Sequence, residues 1–139
     1  RGWGGEGEPD VAGLVARLGE LGYVNDAAWA GAKSNDLLRR GFGKRRIGQA
    51  LGEAGVAESI RESLAPGLAA QRRAACDLAR RKRLGPFDLQ PHDPARREKQ
   101  LAAMLRSGHG FDVARTVLDA PDEAALEQWV IEAEEEEAR

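Results

Sequence analysis

Soft metal ligands are scarce in this chain of 139 residues, which has one cysteine, Cys76, and two histidines, His92 and His109. A single thiol excludes an internal disulfide framework and favours a reducing compartment, and so few Cys and His side chains are too few for a structural zinc site. Aromatic residues are scarce too, seven Phe, Tyr and Trp together. A core must then come mainly from Ala, Leu, Val and Ile, side chains that suit closely packed helices. No apolar run approaches the roughly 18 to 20 residues that a bilayer-spanning helix needs, and no leader pattern opens the chain. These absences predict a protein of the cytoplasm. No period-two run of β-branched residues signals a strand. Paired carboxylates, a phosphate-cradling loop and a nucleophile motif are also missing: His92 and His109 sit beside Pro or Gly in loops, and Cys76 falls on an alanine-rich helical stripe. The expectation is a non-enzymatic protein without metal or cofactor. The chain opens on Arg1 rather than Met, so a further N-terminal element is expected upstream.

What the chain has in quantity is segregated charge. Residues 33–106 hold 17 basic and 8 acidic side chains, a net +9, whereas residues 119–139 hold 1 and 9, a net -8. The overall net charge of -2 hides this division. A basic middle favours polyanions or an acidic protein surface, and the acidic end reads as a solubilising helix that could also screen the middle. The run Glu134 to Glu137 reads as a solvated helix end rather than a metal site.

Apolar spacing predicts helices throughout. After a disordered segment over 1–8, Pro9 suits a first helical turn, and Val11, Leu14, Val15, Leu18 and Leu21 recur at helical spacing up to Gly22. Asn25 or Asp26 can cap a second helix carrying Trp29, Leu37 and Leu38 and ending at Gly41. Ile47, Ala50, Leu51 and Ala54 define a third up to Gly55, and Ile60 and Leu64 a brief fourth before Pro66-Gly67. A long basic helix from Leu68 to about Arg83 precedes a Pro-rich loop over 84–93. Asp93-Pro94 opens the next helix, which runs to Gly108, and two more follow, over Phe111 to Leu118 and from Asp122 onward. Leu18 to Tyr23, Leu51 to Val56 and Met104 to His109 share one pattern, an apolar residue, three positions and a glycine stop. That recurrence predicts an all-α, elongated and curved array of tandem helical units, the last copy holding the Pro-rich insert. The divisions fall at 9–40 (end of repeat 1 and first helix of repeat 2), 41–66 (the rest of repeat 2), 67–120 (repeat 3) and 121–139 (the acidic end).

Gly41-Phe42-Gly43-Lys44-Arg45-Arg46-Ile47 is the most informative stretch. Three cations at a helix start oppose the helix dipole, which points to partner contact rather than stability. Arg72-Arg73 and Arg80-Arg81-Lys82-Arg83 lie about two turns apart on one helix and can share a face toward phosphates or an acidic groove. Without interleaved aromatics, stacking on bases is poorly supported there. The contact candidates are Arg39, Arg40, Lys44, Arg45, Arg46, Arg72, Arg73, Arg80, Arg81 and Arg83. Ala50 to Leu64 matches a major-groove helix-turn-helix only weakly, because Leu51 stands where a small residue is needed and Arg61 where an apolar one is.

Two segments resemble the RecX family, the bacterial regulators of the RecA recombinase. Leu18 through Gly22-Tyr23-Val24-Asn25-Asp26-Ala27-Ala28-Trp29-Ala30, followed by Arg40 to Ile47, Leu51 and Gly55-Val56, is similar to the family's central signature. Leu105-Arg106-Ser107-Gly108-His109-Gly110-Phe111-Asp112-Val113 with Val117-Leu118 is similar to its third-repeat ending. The resemblance covers about Pro9 to Ala120. Asn25, Trp29, Ala50 and His109 depart from the usual residues. The resemblance implies an all-helical array of tandem three-helix repeats resembling helix-turn-helix units, the first incomplete, acting as a monomer that lodges on the RecA filament on single-stranded DNA and restrains recombinase, ATPase and LexA-coprotease activity. Weak direct DNA binding and no membrane partner are expected beside it. Tyr23, Asp26, Trp29, Gly41, Phe42, Gly43, Ile47, Leu51, Gly55, Gly108 and Phe111 are the residues expected to build the repeats. The rival expectation is a regulator that binds DNA directly through the basic middle.

Overall fold

A computed structural model describes residues 26–139, which contain seven α-helices, one 3-10 turn and no strand. The protein is all-α over these residues. The segment 1–8, the first expected helix from Pro9 to Gly22 and Tyr23 lie outside the described residues, as does the first of the three glycine stops.

Helix α1 (Asp26–Arg39) buries Ala30, Ser34 and Leu37, one face at helical spacing, with Trp29 and Leu38 at its edge. Helix α2 (Lys44–Glu53) adds Ile47 and Leu51, one turn apart, and the short α3 (Glu58–Ser63) contributes the half-buried Ile60. Together with Val56 these side chains form a first core cluster. Helix α4 (Leu68–Lys82) buries Ala74, Ala75, Cys76, Leu78 and Ala79, too broad a face for one neighbour. Its small side chains let α1, α6 (Phe111–Asp119) and α7 (Glu123–Glu137) pack on it from different sides. The second core cluster joins that face to Met104 of α5 (Pro94–Arg106), Ala114, Val117 and Leu118 of α6, and Leu126 and Val130 of α7. The expected 84–93 loop contains a 3-10 turn, Gly85–Phe87, that rests on α6. Phe111, expected among the residues that build the repeats, stands 50% exposed at the first position of α6 with the Arg115 guanidinium 5.3 Å from its ring. An opening position places its side chain ahead of the buried Ala114–Val117 stripe.

Local chemistry explains the helix boundaries. Asp93 accepts a hydrogen bond from the Ala95 amide (3.1 Å) and Asp122 from Ala125 (2.8 Å), so both side chains cap the helices that follow. At the other ends one turn recurs. The amides of Phe42, Val56 and His109 donate to Leu37, Leu51 and Met104 at 3.0, 3.0 and 3.2 Å, closing over Gly41, Gly55 and Gly108 at φ of 92°, 86° and 97°. Helix α4 ends the same way, Leu84 donating to Ala79 at 2.8 Å, but the left-handed position is held by Arg83 at φ 60°. That conformation costs a residue with a side chain roughly 1 kcal/mol relative to glycine.

Candidate functional site

Two of these turns, far apart in the chain, are docked on each other. The Gly43 amide donates to Ser107 O at 2.8 Å, and the Arg45 amide to Gly108 O at 3.1 Å. His109, 2% exposed, donates from Nε2 to Gly41 O at 2.8 Å. Backbone meets backbone here. A Cβ on Gly43 would lie 2.6 Å from Gly108 and His109 atoms, and one on Gly108 would lie 2.4 Å from Arg46. Burial pushes the His109 imidazole below its ordinary value, and its hydrogen bond to Gly41 only partly opposes this. The Gly41-Phe42-Gly43 stretch and the Leu105 to Phe111 stretch, separate signals in the sequence, are therefore one junction.

Basic side chains cluster around it. The Arg40 and Arg46 guanidinium groups lie 5.4 and 5.8 Å from the Phe42 ring. Arg81 reaches from α4 and donates to Arg40 O (2.6 Å) and Arg39 O (2.9 Å), capping the negative end of α1 with a cation. Asp36 pairs with Arg39 (3.2 Å) and Arg40 (3.4 Å), exposed pairs worth well under about 1 kcal/mol each. Lys44, Arg45 and Arg46 occupy an α2 first turn that holds no acid, and all three are exposed with no ion pair among the described residues. Lys82, Arg83 and Arg106 are likewise exposed and unpaired there.

The remaining arginines face the other way. Arg72 donates to Trp129 O at 2.6 Å and stacks 4.8 Å from the Trp129 ring, while its buried Nε has no hydrogen-bond partner. Arg73 pairs with Glu127 (3.1 Å) and Glu134 (3.7 Å). Arg80 pairs with Glu123 (2.7 Å) and Asp77 (3.3 Å), and lies 5.2 Å from the Phe87 ring. The bond to Glu123 raises the Arg80 value further. Glu137 accepts from the Ala69 amide at 3.3 Å, placing a carboxylate at the start of α4. Among Arg72, Arg73, Arg80 and Arg81, some of which were expected to share a face, the contacts are divided. The first three meet α7 and the last meets α1.

Ser107 and His109, buried in the junction, the exposed Arg106 beside them and Trp129 in the α4–α7 contact were not among the sequence candidates. Opposite net charges in the middle and at the end hinted at the α4–α7 pairing, but the spacing within either segment does not say which side chains meet. Arg61, the misfit of the helix-turn-helix comparison, turns back and donates to Val56 O at 3.1 Å.

A notch of about 180 Å³ beside the 3-10 turn is lined by Gly85, Asp88, His92, Arg96 and Gln100 among others. Its polar groups are tied to one another: Arg96 and Gln100 both donate to Asp88, whose carboxyl is held down to about 2, chiefly by Arg96. Burial pushes the Cys76 thiol up to about 11, keeping it protonated at neutral pH. Among the described residues no three His, Cys, Asp or Glu side chains stand together as a metal site, and no helix is long and apolar enough to cross a membrane.

The geometry defines an all-helical protein whose uncommitted chemistry is a set of exposed guanidinium and ammonium groups at a junction between helix ends. The curated protein named Regulatory protein RecX from Myxococcus xanthus is 38% identical over 120 residues, covering 84% of this chain and 64% of that protein. Those from Neisseria meningitidis and Chromohalobacter salexigens are 30% and 32% identical, cover 89% and 80% of this chain, and are themselves covered over 76% and 71% of their lengths. The chain belongs to the RecX family of regulatory proteins. It spans just under two thirds of the Myxococcus relative. No protein-family model and no solved structure matches it.

Proposed function

We propose that this protein binds the RecA filament assembled on single-stranded DNA and restrains its recombinase, ATPase and coprotease activities, acting in the cytoplasm as a monomer without catalysis of its own. The observation that carries this reading is the junction. It holds Lys44, Arg45 and Arg46 exposed at a helix start, where their charges oppose the helix dipole and have no ion pair among the described residues. Family membership supports a regulatory role. The recurring glycine turn supports a tandem arrangement of three-helix units, α1–α3 and then α4–α6, with α7 closing the second. A series of such units can touch several neighbouring protomers of a polymer at once, so modest contacts sum to avidity for filament over free RecA.

The direct test is RecA strand exchange and DNA-dependent ATP turnover with the protein added to saturation; undiminished activity rejects the proposal. Reversing Lys44, Arg45 and Arg46 to Glu should leave helicity intact and weaken co-sedimentation with the filament, and retained binding would free these residues of the role. The second reading, a regulator that binds DNA itself, is favoured by the same unpaired cations. It predicts tight, sequence-selective binding to bare DNA at physiological salt without RecA.

A further inference from the structure

Four helix ends share one hydrogen-bonded turn, and three of them place glycine at the left-handed position: Gly41, Gly55 and Gly108. The fourth places Arg83 there, the one non-glycine residue with positive φ among the described residues. Nothing inside the described fold compensates. The Arg83 side chain is exposed and makes no hydrogen bond, ion pair or ring contact with another described residue. Glycine would close the same turn with less strain, so the side chain answers to something outside the described fold.

We infer that Arg83 is a contact residue for a phosphodiester group of DNA. This deepens the filament reading, on which it rests, by naming the strand's phosphate as the group met. Several observations favour phosphate over a protein carboxylate. Lys82, next to Arg83, is exposed and unpaired among the described residues. Two positions back, Arg81 crosses to the Arg39 and Arg40 carbonyls, which brings the end of α4 alongside Arg39 and the Arg40 and Arg46 pair around Phe42. Asp36 is the one acid engaged with these arginines among the described residues. Protein-binding surfaces are depleted of uncompensated charge at their centres, whereas surfaces that meet a nucleic-acid backbone are strongly positive. Arginine also offers a phosphate two parallel donors, which glycine cannot.

The test uses the whole protein and bare single-stranded DNA, so it stands or falls separately from RecA binding, which filament co-sedimentation reports. Wild type, Arg83→Gly and Arg83→Lys are compared by thermal unfolding and by fluorescence anisotropy on a short labelled oligonucleotide between about 50 and 200 mM salt. Arg83→Gly is expected to raise Tm by about 2 to 5 °C while weakening DNA binding several-fold. It should also make the dependence of log affinity on log salt shallower by roughly 0.7, one phosphate contact on a single strand. Arg83→Lys should keep the wild-type Tm and most of the salt slope. A glycine variant with unchanged affinity and slope overturns the inference, as does one with a lowered Tm or a wild type that ignores DNA at low salt. Loss confined to RecA-coated DNA also overturns it, by assigning Arg83 to a protein carboxylate.

Discussion

A methyl group at Gly43 would stand 2.6 Å from the backbone of Gly108 and His109, and one at Gly108 would stand 2.4 Å from Arg46. Neither neighbour can swing aside, because both are main chain or the root of a side chain. Gly43→Ala and Gly108→Ala should each cost about 3 kcal/mol in urea unfolding. Gly48, inside α2 with nothing within 4 Å of its absent Cβ, is the control. There Ala should stabilise by about 0.5 to 1 kcal/mol. His109 makes the same junction sensitive to pH. Burial lowers its pKa in the fold, so below the unfolded value of about 6.5 the unfolded chain takes up a proton that the native ring resists. Stability is full above that pH and falls below it, until the native value is passed. The urea midpoint should therefore drop between about pH 7.5 and pH 5.5, and His109→Gln should remove that part of the pH dependence. The sequence marks Gly41, Gly55 and Gly108 as helix stops, since a glycine four positions after an apolar residue at the end of a helical run is a local signal. It cannot mark Gly43 and Gly108 as each other's neighbours, because that contact exists only once α1 and α5 are in place.

Among the helices, α4 and α7 form the pair whose chemistry was hardest to anticipate. Their contact combines a stripe of Leu126, Val130 and Ala133 with ion pairs from Arg73 and Arg80. Burial dominates. Leu126→Ala, at a side chain 2% exposed, should cost about 2 to 5 kcal/mol. Glu127→Gln, at a half-exposed pair with Arg73, should cost less than about 1 kcal/mol and less still at high salt. Thermal unfolding of the two variants at low and high salt checks this ranking. The starts of α5 and α7 are legible in Asp93-Pro94 and Asp122, whose capping acts over a few residues. That Arg72, Arg73 and Arg80 are occupied by α7 is not legible, because like-spaced arginines read the same whether they face solvent or a partner helix.

At the scale of the whole molecule, the described residues carry their charge as two neighbouring territories: a basic helix covered along one side by an acidic one, and a basic junction at the ends of α1, α4 and α5 that no described helix covers. On α4, Cys76 is buried in the second core cluster with its thiol pushed up to about 11. Alkylation of the native protein at neutral pH should be negligible and should appear with urea in step with the loss of helicity, reporting global unfolding; rapid native labelling would mean that α4 opens locally. Composition and periodicity were sufficient for an all-helical chain, for most helix limits and for a basic middle, because hydrophobic spacing, capping side chains and glycine turns act within about one turn of the residues concerned. Which cations stay free could be settled by docking alone. A guanidinium is spent or available according to the carboxylate, carbonyl or ring that a distant helix brings within about 3 to 5 Å, and no feature of its own segment encodes that approach.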